Sequence, residues 1–407
     1  MKNDLTSQNE LIEQDLQSVF DRIELKDEIG KTKVPIYKKL GYLYAKFNSG
    51  RREFLAKTPL LSYSVKRILY AFLTFYLAVA VVYVLMVAFL KDDALLSDYD
   101  PIKNPIKPNT PEFYDLIENK RKAFGLYGSM IKQVLIFWRN ITPFIPKTIM
   151  EVTKVSSTGV YGNETKKWFW LGMIMNGTNG NLYNSVLDTF KDAMPISFIL
   201  GFSSTIITYL IGVPMGIVMA RFKEKPLDNS LNWIFLGFTA VPSVIIVSIY
   251  WTVTVKYFNS AGVWDMNDYT KFVAIFALVI LGVPGLSIIT RRFIIDEMTA
   301  DYTKFAQSKG LSNSYVFYIH IFRNAGIRII RTIPASIIYS LFGSSILVEQ
   351  FYVAPGMSKY ILKGVGTNDI YIVLGYIVLS AGIGIFVSLL SDLLMAVLDP
   401  RVKLSKK

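Results

Sequence analysis

The sequence contains no cysteine and a single histidine, His320. Without cysteine there is no disulfide framework, no thiolate metal site and no thiol nucleophile. One histidine is too few for the usual zinc centres. No G-x-x-x-x-G-K-[ST] loop occurs, so ATP is not bound here by a Walker site, and neither H-E-x-x-H nor G-x-S-x-G is found. Charge is scarce too: 18% of the 407 residues, against roughly 25% in soluble domains. Deep in the apolar runs it all but vanishes, leaving Glu349 and Asp392 toward the ends of theirs. Ion-driven carriers place carboxylates or broken helices near the bilayer midplane. The expected lack of both argues against secondary transport and intramembrane proteolysis.

What remains is apolar. Hydrophobic residues make up 52% of the chain, and several runs are long enough to cross a hydrocarbon core of about 30 Å. Six spans are expected: Ile68 to Leu90, Ile196 to Ala220, Leu231 to Val255, Phe272 to Ile289, Ile329 to Val348 and Tyr371 to Leu398. Strand alternation is absent from them, which excludes an outer-membrane barrel. The fold class is an all-α polytopic membrane protein. No cleavable leader pattern precedes the first span, so that span is expected to stay attached.

The formal net charge of +13 reads as the Lys/Arg bias of cytoplasmic loops rather than a nucleic-acid footprint. "RFKEKPLDN", Arg291 to Arg331 and "DPRVKLSKK" are basic, whereas the loops near Trp264 and Met357 are not. Six spans with those loops inside place both termini in the cytoplasm of a plasma-membrane protein. Residues 1–60 form an N-terminal extension. Its first part is acidic, with Ile12, Leu16, Val19, Phe20 and Ile23 at helical spacing. The second is basic, with Ile36, Leu40, Tyr44 and Phe47 as a stripe suited to anionic lipid. After the first span (61–90), an insert over 91–194 is expected to fold outside the membrane. It holds one amphipathic helix through Leu126, Met130, Val134 and Trp138, the stretch "NGTNGN", and a helix through Val186, Leu187 and Phe190 into Pro195.

The core, 195–404, carries Pro214, Pro242, Pro284 and Pro334 within its spans. Each removes a backbone donor, for packing or for kinks along a pathway. Gly212/Gly216 and Gly382/Gly384 allow close helix approach. Between the fourth and fifth spans lies "DYTKFAQSKGLSNSYVFYIHIFRNAG", Asp301 to Gly326, too polar for lipid and too patterned for an idle loop. It reads as two short helices, Asp296 to Ser308 and Asn313 to Asn324. Gly310 takes the left-handed turn and Ser312 caps the second helix. Val316, Ile319 and Arg323 share one face, and Tyr315, Tyr318 and Phe322 the next. Such a segment suits docking to a partner.

This segment resembles the cytoplasmic signature loop of ABC-importer permeases, in the version found in oligopeptide and dipeptide importers. Tyr302, Ala306, Lys309, Gly310, Leu311, Ser312, His320, Arg323, Asn324 and Ala325 fall on that pattern. "DLLMAVLDPRVKL", "VEQFYVAPGMSKYI" and "GVPMGIVMAR" are similar to further stretches of the same family, most of all to its B-type permease. Lys304 and Phe305 depart from the general motif, and the N-terminal extension and the insert lie outside the common core.

The resemblance implies the type I importer permease fold with no chemistry or cofactor of its own. The partners it implies are a second homologous permease, two ATPase subunits holding ATP and Mg, and an extracytoplasmic substrate-binding lipoprotein. Peptide is the implied substrate, with nickel, glutathione or another small solute as alternatives within the family. The loop 291–328 would couple to an ATPase, with Gly310 setting its angle and His320 and Arg323 anchoring it or touching the ATPase. His320 reads equally as an interfacial histidine bonded to a carbonyl. Pro355 and Gly356 would face the binding protein in a type II turn, the glycine at positive φ. A carrier or channel independent of ATP, and a membrane scaffold without flux, remain the readings of other classes.

Overall fold

The computed structural model describes residues 59–398. The stripes expected at Ile12–Ile23 and Ile36–Phe47, and the last part of the Asp392–Leu404 motif, lie outside the described residues. Residues up to Tyr70 belong to a separate compact unit. Packing is described below for Ala71 onward.

Helix α1 is Pro59–Ala88. From Leu73 through Leu77, Val81 and Leu85 it bares one apolar stripe, and it buries Val79 and Tyr83 on another side. The buried side meets the insert, where Thr110 caps helix α2 (Pro111–Ala123) and Ser129 caps α3 (Met130–Ile141). Tyr83 donates to Gln133 Oε1 at 3.4 Å, and Tyr76 is bonded to Thr142 Oγ1 at 2.6 Å.

Two antiparallel strands follow, β1 (Lys147–Ser156) and β2 (Gly159–Lys167), with a bulge between Val152 and Lys154. The expectation of one amphipathic helix in this region was incomplete: besides α2 and α3 the insert holds a short helix, Asp92–Leu95, and a hairpin. Lys147 is buried and donates to the carbonyls of Arg139, Asn140 and Thr142 at 2.7–2.8 Å, closing the end of α3.

Helix α4 (Val186–Arg221) runs parallel to α7 (Asp268–Met298). Gly212 lies against Leu286, Gly216 against Ser287 and Thr290, and Gly282 against Thr208, each too close to admit a Cβ without displacement. The Ser287 hydroxyl donates to the Gly212 carbonyl at 3.1 Å. The pair Gly382 and Gly384 has no comparably tight neighbour.

The third span, expected as one run from Leu231 to Val255 with Pro242 inside it, is broken in two. Residues Pro226–Ala240 (α5) and Ser243–Tyr257 (α6) are separate helices, bent by 102° at Val241–Pro242. Pro242 supplies no N–H to continue α5, and the residue before it is pushed to extended backbone; Val241 has ψ 134. The pair nevertheless runs along most of α7. At its start Asp228 meets Arg291, and near its end Tyr250 donates to the Val273 carbonyl. Those two points on α7 are roughly 27 Å apart at 1.5 Å per residue. Among the described residues five helices are long and apolar enough to cross a membrane, and six if the bent pair is taken as one span.

After helix α8 (Asp301–Ser308) comes α9, Asn313–Phe351, antiparallel to α4, with Ser340 against Ser204 and Thr332 against Tyr209. The helix widens to π geometry at Val316–Phe322 and again at Ser340–Ser344. A short helix, α10 (Met357–Gly366), leads to α11 (Ile370–Leu398). At the junction the Asp369 carboxylate accepts from Met175 N, Asn176 N and Asn179 Nδ2 at 3.0–3.1 Å. Tyr371 donates to the Phe124 carbonyl. The insert is thereby tied to the first turn of the last span.

Candidate functional site

The segment between α7 and α9 is built on a small buried core. Ala220 of α4, Ile294 of α7, Ala306 of α8 and Val316, Phe317, Ile321 and Ala325 of α9 pack together. Lys309 and Gly310 link α8 to α9, and Gly310 has φ +80 with open space where a side chain would stand. Its requirement is conformational, since L residues pay for that backbone region whatever room surrounds them. Ser312 accepts from Tyr315 N at 3.4 Å and caps the next helix.

Two expectations are corrected here. The first helix begins at Asp301, because Asp296–Met298 finish α7. The second does not stop at Asn324 but continues through the membrane to Phe351. The π stretch also reassigns its faces. Val316, Phe317 and Ile321 are buried, whereas Ile319 is 46% exposed and Arg323 is exposed. A wider turn brings i and i+5 together, so counting by 3.6 misplaced Ile319 and Arg323.

Charges brace the base of the segment. Tyr302 donates to Glu297 Oε2 at 2.6 Å, and Arg328 reaches Asp296 at 3.0 Å and Glu297 at 3.5 Å. Burial, with the Glu297 carboxylate beside it, pushes the Tyr302 phenol above its ordinary value. Asp228, fully buried, takes both arms of Arg291 at 2.6 Å and the Glu224 N–H at 3.0 Å, pinning α5 to α7. Sequence reading passed over this pair; the lone acid of "PLD", after a basic turn, was its only signal.

On the open side Phe305, Leu311, Tyr315, Tyr318 and Ile319 are all more than a third exposed. Lys309 stands 4.5 Å over the Phe305 ring, and the His320 ring meets Tyr315 edge-on at 5.8 Å. Lys309, Gly310, Leu311, Ser312 and Arg323 are exposed, Tyr302, His320 and Asn324 half-buried, and Ala306 buried. The fold thus gathers the signature residues into one braced knob. An exposed aromatic patch with cationic neighbours suits a protein contact.

The outer loop differs from expectation. Gly356 has φ −86 and ψ −175, extended rather than left-handed. The positive φ belongs to Val353, at 52. Gly356 is needed for proximity: a Cβ there would overlap the Glu349 carboxylate and the Ser197 hydroxyl. Glu349, 1% exposed, accepts from Ser197 Oγ at 2.7 Å, from Ser358 N at 2.9 Å and from the Ser358 hydroxyl. Among the described residues, no three His, Asp or Glu side chains are placed to hold a metal ion.

Residues 212–404 match the model of the family described as binding-protein-dependent transport system inner membrane component. The oligopeptide transport system permease protein AmiC of Streptococcus pneumoniae is 33% identical over 216 residues, covering 52% of this chain and 43% of that protein. This chain therefore spans less than half the length of that relative. The dipeptide transport system permease protein DppB of Bacillus subtilis is 28% identical over 227 residues, covering 55% of this chain and 73% of its own. Among solved structures, the inward-facing MetNI methionine ABC transporter has a chain superposing with TM-score 0.45 at 13% identity, over 53% of this chain and 98% of that one.

Proposed function

From the match of residues 212–404 to the model of the binding-protein-dependent transport system inner membrane component family, we propose that this chain is the permease subunit of an ATP-driven importer carrying peptides inward. The observation that carries this reading is the braced cytoplasmic knob. All the signature residues sit on one short stretch between two spans, joined to the bundle by a buried core. In this reading the chain makes and breaks no covalent bond. The exposed face of Phe305, Leu311, Tyr315 and Tyr318 rests on an ATPase subunit, with Lys309, Ser312 and Arg323 at its rim and Gly310 setting its angle. ATP and Mg belong to two such ATPases, and a second, homologous permease completes the path.

Nucleotide binding shifts the population between inward- and outward-open states by its differential affinity for them. The insert and the Pro355–Gly356 loop meet a substrate-binding lipoprotein outside. The protein lies in the plasma membrane with both termini cytoplasmic, a reading supported by the basic loops on the inner side. The named relatives favour peptide over nickel or glutathione.

One observation favours a second reading. The broken helix pair at Pro242 is a feature that carriers driven by ion gradients also use. Proteoliposomes holding the purified complex separate the two. Uptake of labelled peptide that requires internal ATP supports the importer, and equal uptake without ATP overturns it in favour of a carrier. Peptide-stimulated ATPase activity without uptake would instead make the chain a scaffold.

A further inference from the structure

Between α4, α7, α9 and the break of α5 and α6 lies an open-sided cavity of about 750 Å³. That is within the range of ligand sites, about 300–1,000 Å³. Its lining includes ten hydroxyl side chains and no Asp, Glu, Lys, Arg or His. Tyr209 sits among them, bonded to Thr332 at 2.7 Å and Ser336 at 2.9 Å.

The backbone adds acceptors. Pro242 has no N–H to give the carbonyl of Phe238, and Pro284, inside α7, has none for Ile280. Phe238 and Ile280 both line the cavity. So does Gly285, which has open space where a side chain would stand. Two prolines on different helices thus leave, at two residues that line this cavity, carbonyls without their usual helical donor.

We propose that this chamber is a site for extended peptide main chain, read by hydroxyls and proline-freed carbonyls, with nothing that reads side-chain charge. The inference rests on the permease reading and gives it a site. Carbonyls accept from the amide N–H groups of the passing chain, and hydroxyls, which donate and accept, take its carbonyls. A fixed charge at this site would favour one class of side chain and hold it. Its absence makes passage tolerant of sequence.

The test uses the complete complex in ATP-loaded proteoliposomes, at saturating concentrations of three labelled pentapeptides. One has a central Lys, one a central Glu, and one has two central amides N-methylated. The Lys and Glu peptides are expected within about twofold of each other. The methylated one should be about tenfold slower, as the loss of one or two hydrogen bonds implies. Thr239→Lys, at an exposed lining position, should slow the Lys peptide relative to the Glu peptide by about fivefold. Gly285→Trp should stop all three while ATP hydrolysis continues.

Strong charge discrimination by the unaltered complex would overturn the proposal, as would wild-type rates for both variants. Absence of any ATP-dependent uptake by the unaltered complex would instead overturn the permease reading, and the proposal with it.

Discussion

The Glu349 carboxylate occupies the place where a side chain on Gly356 would stand, and the Ser197 hydroxyl lies against the same spot. Ser197 also accepts from Met357 N at 2.8 Å, so the outer loop is stitched to α4 and α9 through one buried carboxylate. Gly356→Ala is expected to destabilise the protein by about 1–3 kcal/mol through overpacking. Thermal unfolding followed by tryptophan fluorescence would register this. A midpoint equal to that of the unaltered protein would show that the loop can move aside.

Gly310 demands the opposite treatment. Space there is free, and only the backbone region forbids a side chain. Gly310→Val should cost about 1–2 kcal/mol locally and uncouple ATP hydrolysis from uptake, with normal membrane insertion. Gly310→Asn, which tolerates that region, should retain most of the coupling. ATPase and uptake assays on the two variants check this, and equal uptake by Gly310→Val would remove the hinge role.

Buried Asp228 forms a bidentate pair with Arg291, whose side chain is 23% exposed. Asp228→Ala leaves the partly exposed guanidinium without its partner and should destabilise by about 1–3 kcal/mol. Replacing both, as Asp228→Ala with Arg291→Met, should be milder than the single change, since no charge is then left without its partner. Denaturant titration of single and double variants measures the difference.

The Asp369 latch has a pH signature. Burial raises its carboxyl above the ordinary 3.8, against the pull of the donors from Asn179, Asn176, Ile372 and Met175. The folded chain therefore holds the proton more tightly than the unfolded one. This contribution is complete below 3.8 and is lost as pH rises through the raised value. Over that window Asp369→Asn should show a flatter dependence of unfolding midpoint on pH than the unaltered protein. Identical slopes would remove Asp369 as the source.

Most spans were legible because about twenty apolar residues in a row have few alternatives. The Gly310 turn was legible because glycine after a short amphipathic stretch has a specific conformational use. The break at Pro242 was not, since hydropathy averages across a bend and proline is common in spans that stay straight enough to cross. The π turns of α9 escaped because a helical count assumes its own period. The hairpin of the insert was missed for another reason. Its strands, "KTIMEVTKVS" and "GVYGNETKK", are charged and half-exposed, and little in them marks a buried face.

The glycine notches between α4 and α7 carry a mechanical consequence. Two parallel helices keyed at Gly212, Gly216 and Gly282 resist axial sliding, because a shift of one residue drives a ridge into a slot sized for hydrogen alone. The pair then behaves as a stiff shaft. In the importer reading, any reorientation would fall to the joints at Val241–Pro242 and Gly310, much as a crank turns about an unbending axle.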